Sequence, residues 1–249
     1  MNTTIEINRR LSLEGCPNFR DIGGYPCSEG KITRRNRFYR ADCLSKLTDN
    51  DVKTLTELGI RTVIDLRHAD EILRAKNKMD SIDGVTYRHI SLADGIQSEG
   101  LRGLTPESLW GLYIALVDEA QTELADIFRI LLTAQDGAAV FHCTAGKDRT
   151  GVVAAILLLL AGADERDVIE DYAVTYGYMR LIFERQLIEA AEAGYDFPAH
   201  LLRSDAENMD ILIRHLTETY GGAEQYLEAI GLSHGEINLL KHMLTEDAE

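Results

Sequence analysis

The sequence is poor in the residues that mark disulfide-bonded or metal-binding proteins. Its four cysteines, Cys16, Cys27, Cys43 and Cys143, show no paired spacing, and its seven histidines show no spacing typical of metal ligands. Such cysteine usage is typical of a reducing compartment, where thiols stay free. We therefore expect free thiols, no bound metal and no cofactor.

Long apolar runs and surplus positive charge are missing as well. The apolar stretch 152–160 is too short to span a bilayer, and the first residues lack the pattern of a secretory signal peptide. The chain has 26 basic and 41 acidic residues, hence a formal net charge of −15, which disfavours nucleic acid and acidic membrane surfaces as partners. These absences predict a soluble, cytoplasmic protein without stable membrane insertion. They leave open its oligomeric state and secretion by a route that needs no signal peptide.

The 249 residues are enough for an α/β domain with a buried core, and we expect a single domain over 1–249. Stretches rich in apolar and β-branched residues predict strands over 38–40, 60–66, 85–90 and 138–141. A helix is predicted over 48–58, capped by Thr48 with Asp51 and closed by Gly59. Further helices are predicted over 106–134 with a break near Gly111, from 164 onward, over 179–193, and over 205–220, 223–230 and 233–244.

The most informative stretch of the chain is 140–151, VFHCTAGKDRTG. An apolar strand pattern ends at His142-Cys143, Arg149 follows six residues after the cysteine, and a long apolar helix pattern comes next. In a strand–loop–helix turn of this kind, the loop amides and the positive end of the helix dipole converge on one point and favour an anion. A thiol beside a helix N-terminus loses its proton more readily than a free one, and the planar fork of Arg149 suits two phosphate oxygens. The stretch therefore predicts nucleophilic attack on a phosphate ester.

Two plainer interpretations of the same stretch fit less well. An ATP-binding loop would need a glycine where Phe141 stands and a serine or threonine where Asp148 stands. A buried structural cysteine would account for Cys143 but would leave Gly146 and Arg149 without a reason.

The motif His-Cys-x5-Arg-Thr-Gly over 142–151 resembles the signature of the cysteine-dependent tyrosine and dual-specificity phosphatase superfamily. Its Gly-Lys-Asp-Arg version, with NFRDIGG at 18–24 and DLR at 65–67, is similar to bacterial atypical tyrosine phosphatases, which also act on serine/threonine phosphates and phosphoinositides. The resemblance covers most of the chain. It implies a central, mostly parallel sheet flanked by helices, with extra helices that form a lid. It also implies a phosphorylated protein or a phosphoinositide as the substrate.

The resemblance and the loop chemistry together assign roles to the loop residues. Cys143 would attack phosphorus and form a phosphocysteine that water hydrolyses, while Arg149 and the loop amides would stabilise the charge on the equatorial oxygens. We expect His142 to lie behind the loop and bond to backbone, and Thr150 to assist release of the thiolate. The residues expected to bind the substrate are Thr144, Ala145, Gly146, Lys147 and Thr150. Lys147 would place a positive charge at the rim, which suits a substrate with more than one phosphate.

The proton donor for the leaving group has three candidates. Asp148 lies inside the loop itself and is preferred. In the superfamily that the chain resembles, the segment before the helix leading to the cysteine often carries an acidic proton donor, so Asp94, after the predicted strand 85–90, comes second. Asp65 at the end of strand 60–66 comes third. Asp148 could instead pair with Arg20 or Arg67 and only orient the loop, so both roles stay open.

Supporting roles are expected for the two other motifs. Arg20 and Asp21 are predicted to form an ion pair beside the Gly-Gly turn. Asp65 and Arg67 are predicted to open on the same side as the Cys143 loop, because ligands of α/β sheets lie beyond the carboxyl ends of the strands. The alternative is that Asp65 only caps the following helix.

Other functions remain as alternatives. A phosphatase of small inositol or sugar phosphates would use the same loop. A sulfurtransferase also has a cysteine in an amide-lined loop but typically lacks the Arg-Thr ending. An inactive phosphate-binding module would normally have lost Cys143 or Arg149, and both are present. The remaining thiols, Cys16, Cys27 and Cys43, are candidate redox partners of Cys143 or, more simply, structural residues.

Overall fold

The computed structural model of the chain describes residues 9–92 and 108–248. Its strands are β1 (Arg20–Asp21), β2 (Lys31–Thr33), β3 (Phe38–Ala41), β4 (Ile60–Asp65), β5 (Thr86–His89), β6 (Ala138–His142) and β7 (Thr245–Asp247). Its α-helices are α1 (Asp49–Glu57), α2 (Ala69–Arg74), α3 (Leu109–Glu119), α4 (Gln121–Thr133), α5 (Asp148–Ala161), α6 (Glu165–Glu192), α7 (Ala206–His215), α8 (Ala223–Ala229) and α9 (His234–Leu244).

The expected α/β architecture with a mostly parallel sheet is confirmed. The central sheet has the strand order β1-β3-β6-β4-β5. Strands β3, β6, β4 and β5 are parallel to one another, and β1 pairs antiparallel with β3 at the edge. A second small sheet pairs β2 with β7 and so joins the N-terminal region to the end of the chain.

The register of the central strands brings their carboxyl ends to one edge. His142 at the end of β6 lies opposite Asp65 of β4 and Ala41 of β3. All five residues of β6 are buried, as expected of a parallel strand covered on both faces. The loop that begins with Cys143 therefore leaves the sheet at its centre, at the edge where ligands of such sheets bind.

Local signals fix several helix ends as predicted. Thr48 caps α1 and forms a reciprocal capping box with Asp51, and Gly59 follows the helix with a φ of 84°. Helix α5 begins at Asp148, ends at Ala161 and is followed by Gly162 with a φ of 83°; it is buried along nearly its whole length. Its N-terminus therefore points at the Cys143 loop from within the core.

The helix predicted over 106–134 is two helices within the described residues, and the break near Gly111 is wrong. Gly111 lies in the first turn of α3, where its N–H donates to the capping hydroxyl of Ser108 at 3.3 Å. The chain leaves helical geometry at Ala120, with φ −97° and ψ 37°. Ala120 is completely buried, so tertiary packing sets this break, and helix propensity gives no sign of it.

The two helices predicted from 164 and over 179–193 are one continuous helix, α6. Its start is confirmed, because the Asp164 side chain accepts from the Arg166 N–H at 2.9 Å. Gly177 lies in the helix interior with open space around it and does not interrupt the helix. Twenty-eight residues make α6 about 42 Å long, so it runs from the sheet to well beyond the carboxyl edge. Among the described residues, no helix is long and apolar enough to cross a bilayer.

A buried ionic network fastens α6 to the sheet. The Asp171 carboxylate of α6 accepts from Arg20 Nε of β1 at 2.9 Å and from Arg40 Nη1 of β3. Tyr25 donates its hydroxyl to the same carboxylate at 3.1 Å. Burial opposes the charged form of Asp171, but the two guanidinium groups prevail and hold its pKa well below the ordinary value.

The ion pair predicted between Arg20 and Asp21 is therefore wrong. Adjacent residues of a strand point to opposite faces, so Arg20 and Asp21 diverge and find separate partners. Asp21 accepts from the backbone N–H groups of Gly23 and Asn36, each at 2.8 Å. It stabilises the turn, while Arg20 belongs to the Asp171 network.

We expect Asp171→Asn to lower the free energy of unfolding by about 3–5 kcal/mol, because it leaves two buried guanidinium groups without a compensating charge. Asp210 of α7 is a matched control, since it pairs with Arg214 at 3.0 Å on the surface. Asp210→Asn should cost less than about 1 kcal/mol. Urea denaturation of both variants measures the difference, and equal losses would contradict the importance of the network.

Candidate active site

The loop between β6 and α5 is bent so that it fits closely against β3. Gly146 has a φ of 65°, and a Cβ at this position would lie 2.4 Å from the carbonyl oxygen of Ala41. Only glycine fits here without a shift of the backbone. Gly146, which the sequence predicts to bind the substrate, is thus also required by the loop's contact with the sheet.

Side chains from behind the loop bind its carbonyl groups. Asn18 Nδ2 donates to the carbonyls of Ala145 at 2.9 Å and Gly146 at 3.2 Å, and Arg40 Nη2 donates to Gly146 at 2.9 Å. In a trans peptide the N–H points away from the C=O. The N–H groups of Gly146 and Lys147 therefore point away from Asn18 and Arg40, as an anion site in front of the loop requires.

Arg149 is held by an acidic side chain that the sequence motif does not contain. Glu71 of α2 accepts from Nη1 at 2.7 Å and from Nη2 at 3.0 Å. It also accepts from the Thr144 hydroxyl. Glu71 thus binds the end of the guanidinium through its two Nη atoms. The edge of the guanidinium that carries Nε is left for a second anion. Burial opposes ionisation of Glu71, but the Arg149 contact lowers its pKa to about 2.

Asp148 stands in the first turn of α5 and faces the cavity over the loop. Its Oδ1 accepts from the Tyr113 hydroxyl at 2.7 Å and lies 2.9 Å from Lys147 Nζ. It pairs with neither Arg20 nor Arg67, which have the partners Asp171 and Asp65. Burial, and then the charge of Asp148, raises the pKa of Tyr113 well above its ordinary value, so its hydroxyl remains a donor. Nothing in the sequence of α3 marks Tyr113 for this role.

Lys147 is not at the rim, contrary to expectation. Its side chain is 2% exposed, and its ammonium donates to the backbone carbonyls of Leu201 and Arg203, each at 2.8 Å. The reason lies in the chain after α6, which turns back over the loop and presents these carbonyls to it. Sequence spacing within the loop gives no information about so distant a partner.

A cavity of about 710 Å³ opens in front of the loop. Cys143, Thr144 and Arg149 line its floor. Its roof is formed by the second half of α6 and the short 3-10 turn Ala199–Leu202. The apolar roof residues are Met179, Ile182, Phe183, Phe197, Leu201 and Leu202. The expected helical cover over the site is thus present in this structure.

Asp65 and Arg67 form a buried pair beneath the site. Arg67 donates to the Asp65 carboxylate through Nε at 2.9 Å and Nη2 at 2.7 Å, and Tyr87 adds its hydroxyl at 2.9 Å. Burial opposes ionisation of Asp65, but the hydrogen bonds and the charge of Arg67 hold its pKa far below the ordinary value. Asp65 is completely buried, does not line the cavity and does not cap α2, whose cap is His68. It is therefore unsuited to donate a proton to a substrate.

His142 is completely buried and contacts backbone, as expected. Its Nδ1 lies 3.1 Å from the carbonyl oxygen of Cys143, and its Nε2 lies 2.8 Å from Asn77 Nδ2. Because Asn77 uses its Oδ1 to accept from Met79, its amide nitrogen is the donor to Nε2. His142 then donates from Nδ1 to the Cys143 carbonyl.

Two further expectations concern Thr150 and Asp94. The Thr150 hydroxyl is buried and has no hydrogen-bond partner within the described part of the chain, which leaves it available to a thiolate or a phosphate. Asp94 lies outside the described residues. No group of His, Cys, Asp or Glu in the described ranges could hold a metal ion.

Asp42 lies at the cavity edge with its carboxyl turned into the protein. Its Oδ1 accepts from the Cys16 thiol at 2.8 Å and from the Asn18 N–H at 2.9 Å. Burial raises the pKa of Asp42 to about 6, against the opposing effect of these two bonds. The folded protein therefore favours the neutral carboxyl well above the pH at which an exposed aspartate ionises.

We expect Asp42→Asn to be more stable than the wild type above pH 6 and to lose this advantage near pH 4. A raised folded-state pKa contributes stability that is complete below the unfolded value of about 3.9 and is lost as the pH rises through about 6. The difference in unfolding free energy should change by up to about 3 kcal/mol, at about 1.4 kcal/mol per pKa unit. Urea unfolding from pH 4 to 8 measures it. Exposed Asp70 supplies the control, Asp70→Asn, and a pH-independent difference at Asp42 would refute the expectation.

Comparisons with known proteins agree with this arrangement. A model of the tyrosine phosphatase family matches residues 11–246. A protein of Nostoc commune named tyrosine-protein phosphatase is 35% identical over 229 residues, which cover 87% of this chain and 76% of that protein. The triple specificity protein phosphatase PtpB of Mycobacterium tuberculosis is 27% identical, over 93% of this chain and 98% of its own.

Among solved structures, that of TpbA from P. aeruginosa aligns with 58% of this chain and 72% of its own. Its identity of 18% and TM-score of 0.36 are too low to inform on this site. The family model spans nearly all of the described chain, including the loop, the Asn18 segment and the Asp65-Leu66-Arg67 strand end. The chain therefore belongs to the tyrosine phosphatase family.

Proposed function

We propose that this chain hydrolyses phosphomonoesters through a phosphocysteine on Cys143, with phosphotyrosine as the preferred substrate. The observation that carries the proposal is the floor of the cavity. There Cys143 lies in a loop whose amides point away from Asn18 and Arg40, and Arg149 turns a free guanidinium edge away from Glu71.

The apolar roof of the cavity favours an aryl phosphate as the substrate. Phe183 and Phe197 are among the apolar side chains that line it, and aromatic rings pack well against such surfaces. The Nostoc commune relative is named a tyrosine-protein phosphatase, and the Mycobacterium tuberculosis relative is named a triple specificity protein phosphatase. The proposal includes serine/threonine phosphates and phosphoinositides as further substrates.

The residues perform the reaction in two steps. The Cys143 thiolate attacks phosphorus in line with the leaving oxygen, and the phosphorus–oxygen bond breaks as the phosphocysteine forms. The amides of Gly146 and Lys147, together with Arg149, stabilise the charge on the equatorial oxygens. Water then hydrolyses the phosphocysteine and releases phosphate, and the Thr150 hydroxyl stabilises the departing thiolate.

Asp148 serves as the proton donor in this proposal. It faces the cavity, and its orientation is fixed by Tyr113 at 2.7 Å. Asp65 is excluded by its burial outside the cavity. A cytoplasmic location is also proposed, with support from the four cysteines, all of which are free thiols.

We expect Cys143→Ser to bind an aryl phosphate and to release no phosphate from it, because the nucleophile is lost while the amides and Arg149 remain. Phosphate release and binding of p-nitrophenyl phosphate measure the two properties. A chelator should leave the wild type fully active. Appreciable turnover by Cys143→Ser would refute the mechanism, and turnover of thiosulfate by the wild type would favour a sulfurtransferase.

We expect Asp148→Asn to slow esters of phenols with high pKa values by roughly 10²–10⁴-fold and activated esters much less, because a poor leaving group needs the proton most. A series of aryl phosphates measures this dependence. Asp94→Asn is the comparison variant and should have little effect on either class. An equal loss across the series would make Asp148 a loop-orienting residue. A leaving-group-dependent loss at Asp94 would move the acid role there.

A further inference from the structure

Two lysines line the cavity, and they differ in what holds them. The Lys147 ammonium is surrounded by Asp148 Oδ1 at 2.9 Å and by the carbonyls of Leu201 and Arg203 at 2.8 Å each. Lys46 ends the short 3-10 turn Leu44–Lys46, and its side chain is exposed. Within residues 9–92 and 108–248, Lys46 forms neither an ion pair nor a side-chain hydrogen bond.

The contacts of Lys147 fasten the roof to the floor. Leu201 belongs to the 3-10 turn Ala199–Leu202 that roofs the cavity, and Arg203 follows it directly. Hydrogen bonds from a charged donor are stronger than neutral ones. To bind a second phosphate of a substrate, Lys147 would have to give up both carbonyls and the Asp148 carboxylate. The side chain of Lys147 therefore holds the roof in place and is not available to bind a substrate.

Lys46 lies on a turn that contacts the reacting loop, and its ammonium has no partner within the described residues. The N–H of Cys43, three residues before it, donates to the Thr144 carbonyl of the loop at 3.0 Å. The turn that carries Lys46 is thus tied to the loop that holds the phosphate. Helix α6, which forms part of the roof, contributes the carboxylate of Glu189 to the cavity lining. The lining therefore offers an anionic group of the substrate a free cation at Lys46 and repulsion at Glu189.

We propose that Lys147 is a positioning residue that fastens the roof segment 199–203 over Cys143, and that Lys46 determines specificity by binding an acidic side chain next to the phosphotyrosine of a peptide substrate. The inference rests on the proposed function. The aromatic and aliphatic roof favours a phosphotyrosyl peptide over other phosphomonoesters.

The role of Lys46 is tested with two phosphotyrosyl peptides that differ only in glutamate or alanine at the positions flanking the phosphotyrosine. In Lys46→Met, the ratio of kcat/KM for the acidic peptide to that for the neutral one should fall roughly two- to fivefold, the range of an exposed ion pair. The fall should shrink in 1 M salt, where the Debye length is about 3 Å. Lys53→Met is the control, because Lys53 pairs with Glu57 on the surface of α1.

Two outcomes would overturn the assignment of Lys46. One is a ratio unchanged from that of the wild type. The other is an effect of Lys46→Met confined to a soluble short-chain phosphoinositide bisphosphate, with none on the acidic peptide. Glu189→Gln gives a further check, since removal of the repelling carboxylate should raise the same ratio.

The role of Lys147 is tested without turnover. In Lys147→Met, alkylation of Cys143 by iodoacetamide and hydrogen exchange of the amides of 199–203 should both accelerate by roughly tenfold or more, as expected when a charged hydrogen bond that holds a segment is lost. Lys147→Gln, which keeps a neutral donor, should lie between Lys147→Met and the wild type. Thermal unfolding establishes that each variant is folded.

The inference for Lys147 would be overturned by one combination of results. In Lys147→Met, the rates of Cys143 alkylation and of amide exchange in 199–203 would be unchanged, and activity would be lost only on substrates that carry a second phosphate. Lys147 would then be a substrate-binding residue. The proposed function and the role of Lys147 can fail separately. A wild type inactive on every phosphomonoester would refute the proposed function, while the alkylation and exchange results would still decide how Lys147 acts.

Discussion

The buried carboxylate of Asp171 is the interaction on which the rest of the site depends. It neutralises one of two guanidinium groups, Arg20 and Arg40, that are each at most 2% exposed. Arg40 also donates a hydrogen bond to the carbonyl of Gly146 in the loop. Arg20 binds Asn18, which in turn binds the carbonyls of the loop. Without the carboxylate, two desolvated charges would remain beneath the loop, at a cost of several kcal/mol.

The same helix that supplies this carboxylate also covers the substrate cavity. Asp171 and Phe183 are separated by twelve residues of α6, about 18 Å along its axis. Asp171 lies behind the loop, and Phe183 lines the cavity in front of it. Because α6 is continuous between these two residues, the back of the loop and the roof over it share one rigid support. The roof's second attachment is made by Lys147 from the loop itself.

What could be predicted from the sequence depends on the range of the interaction. The α1 capping box, strand β4 and the strand–loop–helix turn at Cys143 depend on neighbouring residues, and their patterns predict them correctly. Glu71, Tyr113 and Asp171 act on partners 35 or more residues away, so no local pattern identifies those partners. Asp171 did leave a signal, because it falls on the helical face of Val168, Tyr172 and Met179, all buried. An ionisable residue on an apolar face requires a buried partner.

Each reacting group of the site is held from one side and left free on the other. The loop carbonyls are bound from behind by Asn18 and Arg40, so the amides of the same peptides face forward. Glu71 occupies the end of the Arg149 guanidinium and leaves its side edge. Donors fixed in this way stabilise developing charge without having to reorganise during the reaction. The arrangement explains why the loop motif alone is not the active site: its geometry is imposed by residues of β1, β3, α2 and α6 that lie far from it in the sequence.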